Sequence, residues 1–249
     1  MMPDLIVFDL DKTLARSKQP LDETMATLLT KLLTRTRVAI ISGGAFHQFE
    51  SQVIARLPAN AAYENLFILP TSGGALYEWK EGSWNSVYEE RIPEQETIRI
   101  EEVIRAAGEA TGLVDFSTDS FGRRIENRGA QVTLSALGQQ APLEAKEAWD
   151  PDGTKKRTLR AALEKMLPEY DVKSGGSTSI DVTRRGVNKA FGIRRLSGHL
   201  TIPIEHMQYV GDALYPGGND EVVKETGIKT RAVQDPSETE EFIRQLVAK

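Results

Sequence analysis

The chain has 249 residues, with 31 Lys+Arg against 36 Asp+Glu, so its formal net charge is −5. It contains no cysteine and only three histidines. A disulfide framework, an Fe–S cluster, a thiolate zinc site and a Cys nucleophile are therefore excluded. The acidic balance argues against a broad nucleic-acid footprint, and no apolar run reaches the ~18–20 residues that span a bilayer.

The first third alternates short apolar runs with helical patterns. Leu5–Phe8, Val38–Ile41 and Leu66–Leu69 read as strands buried on both faces. Between them, Asp22–Leu33 and Phe46–Leu57 carry apolar residues at helical spacing, with Asp22 as N-cap and Pro58 as a stop. Strand–helix–strand–helix–strand predicts a parallel sheet covered by helices.

The middle follows another pattern. Ala75–Val87 reads as two strands around Glu81-Gly82, and Pro93–Ala110 and Lys155–Leu167 as amphipathic helices. Gln131–Leu137 and Ser179–Thr183 alternate as half-exposed antiparallel strands do. The last third returns to the first style, with helices at 188–196, 219–226 and 238–247 and strands at 207–210 and 230–233. The fold class predicted is α/β: a parallel core over 1–84 and 186–249, split by an inserted α+β domain over 85–185 with a hinge at the joins. An insertion of roughly 100 residues is a normal size for a small domain.

Ligands of open parallel sheets lie beyond the carboxyl ends of the strands. Asp9 and Asp11 follow the first strand, Ser42 the second, and Asp212 follows Met207–Val210. Lys189 opens a helix that can point the same way. Three carboxylates make a hard-oxygen site suited to Mg²⁺. A hydroxyl and an ammonium beside them suit a phosphoryl group. In that chemistry Asp9 attacks phosphorus, Asp11 moves the proton, and Asp9, Asp11 and Asp212 form the metal shell. Asp220 either binds metal or caps the helix that follows it. Neither GxGxxG nor GxxxxGK[ST] occurs, so dinucleotide and P-loop binding lack their signatures.

The set DLDKT, ISGG, Lys189 and GDALYPGGND resembles the four motifs of the haloacid dehalogenase (HAD) superfamily. The insertion resembles that superfamily's C2-type cap (subfamily IIB), which implies a Rossmann-like core. The segments 125–138, 175–182 and 216–220 are similar to eukaryotic-type phosphomannomutases over most of the chain. The resemblance implies that Asp9 is the nucleophile and Asp11 the acid/base. It implies phosphate contacts from Ser42, Gly43, Lys189 and Lys18, and sugar-phosphate contacts from cap residues Arg128, Ser179 and Asp181. Departures are Lys12 where the family usually has Gly, Lys18 for an Arg, Gln139 or Gln140 for a cap Arg, and Asp212 where the mutases carry Asn and HAD phosphatases carry Asp.

The leading expectation is a Mg²⁺-dependent phosphatase acting on a small phosphorylated metabolite, a sugar phosphate, through an aspartyl-phosphate. The alternatives are a phosphomannomutase using the same aspartate and a non-catalytic sugar-phosphate binder. A cytoplasmic protein is expected, because MMPDLIVFDLDKT is too soon interrupted by charge for a signal peptide. It would act without nucleic-acid or membrane partners, as a monomer or a cap-mediated homodimer.

Overall fold

A computed structural model describes residues 2–248. The chain divides into two compact units, Met1–Glu89 with Asn188–Lys249, and Glu90–Val187. Among the described residues no helix is long and apolar enough to cross a membrane.

The first unit contains β1 (Leu5–Asp9), α1 (Glu23–Leu33), β2 (Arg37–Ile41), α2 (Phe46–Gln52), β3 (Leu66–Leu69), β4 (Ala75–Lys80) and β5 (Ser83–Glu89). The second unit contains α3 (Glu94–Thr111), β6 (Ile125–Asn127), β7 (Gln131–Ser135), α4 (Leu143–Trp149), α5 (Thr154–Met166), β8 (Tyr170–Ser174) and β9 (Ser179–Arg184). The chain then returns to the first unit through α6 (Lys189–Leu200), β10 (Met207–Gly211), β11 (Lys229–Ala232) and α7 (Pro236–Val247).

The first unit is one seven-stranded sheet in the order β11-β10-β1-β2-β3-β4-β5. Its strands are parallel from β11 to β3, and β4 and β5 extend it antiparallel. Successive side chains alternate between faces. Ile6, Phe8, Val38, Ile40 and Ile68 therefore pack in one cluster with Met25, Leu29, Leu32 and Phe49 of α1 and α2 and Phe242 and Ile243 of α7. Leu5, Val7, Ala39, Ile41, Leu69 and Tyr209 pack in the other with Ile193 and Leu196 of α6. Burial on both faces explains why these strands read as unbroken apolar runs. Asp22 caps α1 as expected, its Oδ1 accepting the Met25 N–H at 2.8 Å.

The second unit is an antiparallel sheet in the order β6-β7-β9-β8 with α3, α4 and α5. Val132, Leu134, Val172, Ile180 and Val182 pack against Ile100, Ile104, Leu159 and Leu163. Here the sequence reading needs correction, because β7 and β9 are not half-exposed. Their polar positions Gln131, Thr133, Ser135, Ser179, Asp181 and Thr183 are buried too.

Other corrections have local causes. The boundaries move from 84/85 to 89/90, since β5 keeps pairing with β4 as far as Glu89. At the return they move from 185/186 to 187/188, because the Thr183 hydroxyl donates to the Val187 carbonyl at 3.0 Å and ties that residue to β9. The helix expected over 46–57 ends at Gln52 and resumes as a 3₁₀ turn over Ile54–Arg56. The helix expected over 219–226 is a 3₁₀ turn, Glu221–Thr226, and Asp220 makes no capping bond to it. Strands β6 and β8 and helix α4 are additions to the sequence reading.

Candidate active site

The first unit gathers its polar strand ends at one edge. Asp9 is the last residue of β1 and pairs in register with Ile41, the last of β2, so Ser42 stands one step beyond it. On the other side of β1, β10 ends at Gly211 and Asp212 follows. The turn after β1 is tight: the Leu10 carbonyl accepts the N–H groups of Leu14 at 2.9 Å and Ala15 at 3.1 Å. That turn presents the Thr13 hydroxyl to the Asp212 N–H at 3.1 Å, linking the ends of β1 and β10. Lys12 lies in the left-handed region, at φ 62°, where glycine would sit without strain. Ser42 is buried, and its carbonyl accepts the Ser72 N–H at 2.8 Å.

Lys189 is brought in by α6. Asn188 caps that helix by accepting the Phe191 N–H at 3.1 Å, which makes Lys189 its first residue. Lys189 is 2 % exposed. It donates to Asp9 Oδ1 at 2.5 Å and to Asp220 Oδ1 at 2.6 Å, and reaches the Tyr209 hydroxyl at 3.3 Å. Asp220 is fully buried. Its Oδ1 also accepts the Tyr209 hydroxyl at 2.7 Å, and its Oδ2 the Ala213 N–H at 3.2 Å.

Two carboxylates therefore share one ammonium in a dry environment. Burial pushes Asp9 well above the usual carboxylate range; Lys189 pulls it back, and Asp220 and Asp11 push it further up. Burial would push Lys189 down, but Asp220 and Asp9 outweigh that and hold it above the usual lysine range. Asp212 is raised by burial and by Asp220, and lowered by Lys189 and Lys12. The site is short of positive charge.

The carboxylates of Asp9, Asp212 and Asp220 each offer an oxygen within 4.8 Å of the others. An all-oxygen anionic set with unmet charge fits a hard divalent cation such as Mg²⁺. Of the expected metal shell, the carboxylates of Asp9 and Asp212 lie in this cluster and that of Asp11 does not. The half-buried Asp11 turns its Oδ1 to the Lys18 N–H at 2.5 Å, and Asp220 takes its place in the cluster. Lys18 meets Asp11 through its backbone, at φ 57°. Gly43 lies in the loop just beyond Ser42.

The cap residues lie in the second unit. Arg128 follows β6 and is committed to neighbours. Its Nε donates to Glu126 Oε2 at 2.8 Å, its Nη2 lies 2.6 Å from the same oxygen, and Nη2 also donates to Gln139 Oε1 at 3.3 Å. Asp181 on β9 accepts the Thr133 hydroxyl at 2.8 Å, and Thr133 in turn accepts the Gln131 amide at 2.8 Å. Ser179 is buried two residues before Asp181 on the same strand face. Gln131 and Thr133 are polar-face members that sequence reasoning missed. Their signal was the run of polar residues at every second position of β7. Tyr209 was missed because a tyrosine inside an apolar run reads as core.

The family model "Eukaryotic phosphomannomutase" matches residues 25–249. Relatives along nearly the whole chain include the "Probable phosphomannomutase" of Caenorhabditis elegans, 23% identical over 98% of this chain and 95% of that protein. "Phosphomannomutase 1" of Dictyostelium discoideum is 23% identical over 100% and 99% respectively. Among solved structures, the Plasmodium falciparum IMP-nucleotidase bound to IMP superposes with a TM-score of 0.70 at 19% identity, covering 100% of this chain and 69% of that one. A haloacid dehalogenase-like hydrolase from Bacteroides thetaiotaomicron gives a TM-score of 0.65 at 18% identity over 98% and 99%. At these identities the structures speak for the fold.

Proposed function

The chain belongs to the eukaryotic phosphomannomutase family, within the HAD superfamily, and from that premise we propose that it moves a phosphoryl group between the two ends of a hexose phosphate by way of Asp9. This reverses the order expected from sequence, where hydrolysis led. The observation that carries it is the extent of the family match, which spans the inserted unit as well as the core.

In this reading a phosphorylated Asp9 gives its phosphoryl group to the 6-hydroxyl of mannose 1-phosphate. The Asp9 O–P bond breaks, the sugar O–P bond forms, and Asp11 takes the hydroxyl proton. The bisphosphate turns end for end. Asp9 then takes the phosphoryl group from the 1-position, and Asp11 returns the proton to the leaving oxygen. Lys189, the Ser42 hydroxyl and the Gly43 N–H meet the charge on the phosphoryl oxygens. Asp9, Asp212 and Asp220 would hold Mg²⁺, which supplies positive charge against the same oxygens. Lys18 and the cap residues Arg128, Ser179 and Asp181 are proposed to hold the rest of the sugar phosphate.

One observation favours hydrolysis as a second reading. The Arg128 fork is engaged by Glu126 and Gln139, and either Gln139 or Gln140 stands where the family resemblance leads one to expect a second arginine. A weaker grip on the distal phosphate lets an intermediate leave and water enter. Phosphorus NMR separates the two. With Mg²⁺, mannose 1-phosphate and a trace of hexose bisphosphate to prime Asp9, growth of the 6-phosphate signal, abolished by EDTA, is expected. Growth of inorganic phosphate alone would replace the mutase by the phosphatase.

A further inference from the structure

The turn after β3 touches the loop that carries Ser42 and the helix that carries Lys189, the two groups assigned to the phosphoryl oxygens. Thr71, Ser72 and Gly73 follow one another at φ 51°, 58° and 89°. A β-branched residue is a steric outlier there, so the turn is held against strain by its surroundings. On one side its amides grip the loop after β2. The Thr71 N–H donates to the Gly44 carbonyl at 2.9 Å, and the Ser72 N–H to the Ser42 carbonyl at 2.8 Å. On the other side Gly73 lies against α6. A Cβ on Gly73 would meet Gly192 Cα at 2.8 Å and the Asn188 carbonyl oxygen at 3.2 Å. A Cβ on Gly192 would meet Gly73 Cα at 2.8 Å and Ile41 Cδ1 at 3.0 Å. The Tyr88 hydroxyl donates to the Gly73 carbonyl at 2.8 Å and anchors the turn from β5.

We infer that the Thr71–Gly73 turn is a spacer that sets the separation of Ser42 from Lys189, and that Gly192 is a positioning residue of the active site. Bare backbone on both sides of the contact lets α6 start close to the strand ends. That brings Lys189, its first residue, to Asp9 while Ser42 stays fixed through Ser72. A methyl group at 192 must push α6 outward by about 0.6 Å, because interiors are too closely packed to absorb it in place. Displacements of that order at a phosphoryl site cost one to two powers of ten in rate, on the order of 10–100-fold. The inference rests on reading Ser42 and Lys189 as phosphoryl contacts.

The test uses two alanines on one helix. Gly192→Ala meets the turn, whereas Gly198→Ala, also in α6, has nothing within 4 Å. Both remove a helix-weakening glycine. With p-nitrophenyl phosphate and Mg²⁺, Gly192→Ala is expected to lose about 10–100-fold in kcat, with little change in KM and a melting temperature a few degrees below wild type, the overpacking outweighing the gain in helix propensity. Gly198→Ala is expected to keep kcat and to melt about 2–4 °C higher. Tyr88→Phe, which introduces no clash, is expected to lower kcat about threefold by loosening the turn, the effect of one hydrogen bond. A crystal structure of Gly192→Ala should show Lys189 farther from Ser42. An unchanged separation, or a displaced Lys189 with wild-type kcat, overturns the inference. An inactive wild type would instead sink the reading of the site, and the measured separation would still decide whether the turn is a spacer.

Discussion

Replacing Asp9 by asparagine is expected to lower phosphoryl transfer by at least about 10⁴-fold, as loss of a nucleophile does elsewhere, and to raise the stability of the metal-free protein. The second half follows from burial. Asp9 is 3 % exposed, and burial pushes its carboxyl well above the ordinary value of 3.8 despite the pull of Lys189. A carboxyl whose folded-state pKa is raised favours folding fully only below its unfolded pKa. That contribution is lost as pH rises through the folded value. The gap in melting temperature between Asp9→Asn and wild type should therefore open above about pH 4 and level off once the buried carboxyl has ionised. Each pKa unit of elevation is about 1.4 kcal/mol, and each kcal/mol is about 2–4 °C for a chain of this length. Thermal melts of both proteins in EDTA from pH 4 to 8 check this. A variant less stable than wild type, or a gap that narrows as pH rises, would show that Asp9 is well accommodated in the folded protein.

Lys189→Met should be the most damaging single change to stability. It removes the only cation bonded to Asp9 and Asp220 among the described residues and leaves two buried carboxylates facing each other. Breaking a buried pair by removing one partner costs about 3–5 kcal/mol, or about 6–20 °C here. The folded pKa of Lys189 is raised, so its contribution is complete below the unfolded value of 10.5 and is lost only at higher pH. The effect is therefore fully present at neutral pH. Adding Asp220→Asn removes one of the stranded charges and should recover about half of the lost stability, because the remaining carboxylate no longer faces a like charge. Turnover should stay absent in both variants. Calorimetry of the two checks this. Equal losses in the single and double variants would mean that the stranded Asp220 charge is not what destabilises Lys189→Met.

The sequence carried the sheet and its chemical edge because both rest on local signals. Apolar runs that end in Asp9, Ser42 and Asp212 mark strand termini, and a residue at a parallel strand's carboxyl end has few places to point. Lys189 was legible as a residue at the start of a helix, and the structure adds that Asn188 caps that helix. Asp220 was legible only as one of two things, a metal ligand or a helix cap, because an Asp beside a helical pattern suits both. Only the fold shows its carboxylate turned inward to Lys189, Tyr209 and the Ala213 N–H. Asp11 was read from its spacing to Asp9, and the fold adds that the tight turn brings its Oδ1 to the Lys18 N–H. The polar faces of β7 and β9 were misread as exposed, because alternation distinguishes the two faces without saying whether the polar one is covered. The contact between Gly73 and Gly192 joins residues far apart in sequence and leaves no local trace.

In the proposed reaction Asp9 carries the phosphoryl group. Protein mixed with Mg²⁺, mannose 1-phosphate and a trace of hexose bisphosphate, quenched in acid and digested, is read by mass spectrometry. An acid-stable, base-labile phosphoryl group is expected on the peptide containing Asp9, and none in Asp9→Asn. Turnover accompanied by a phosphoryl group on another residue, or undiminished in Asp9→Asn, would contradict it.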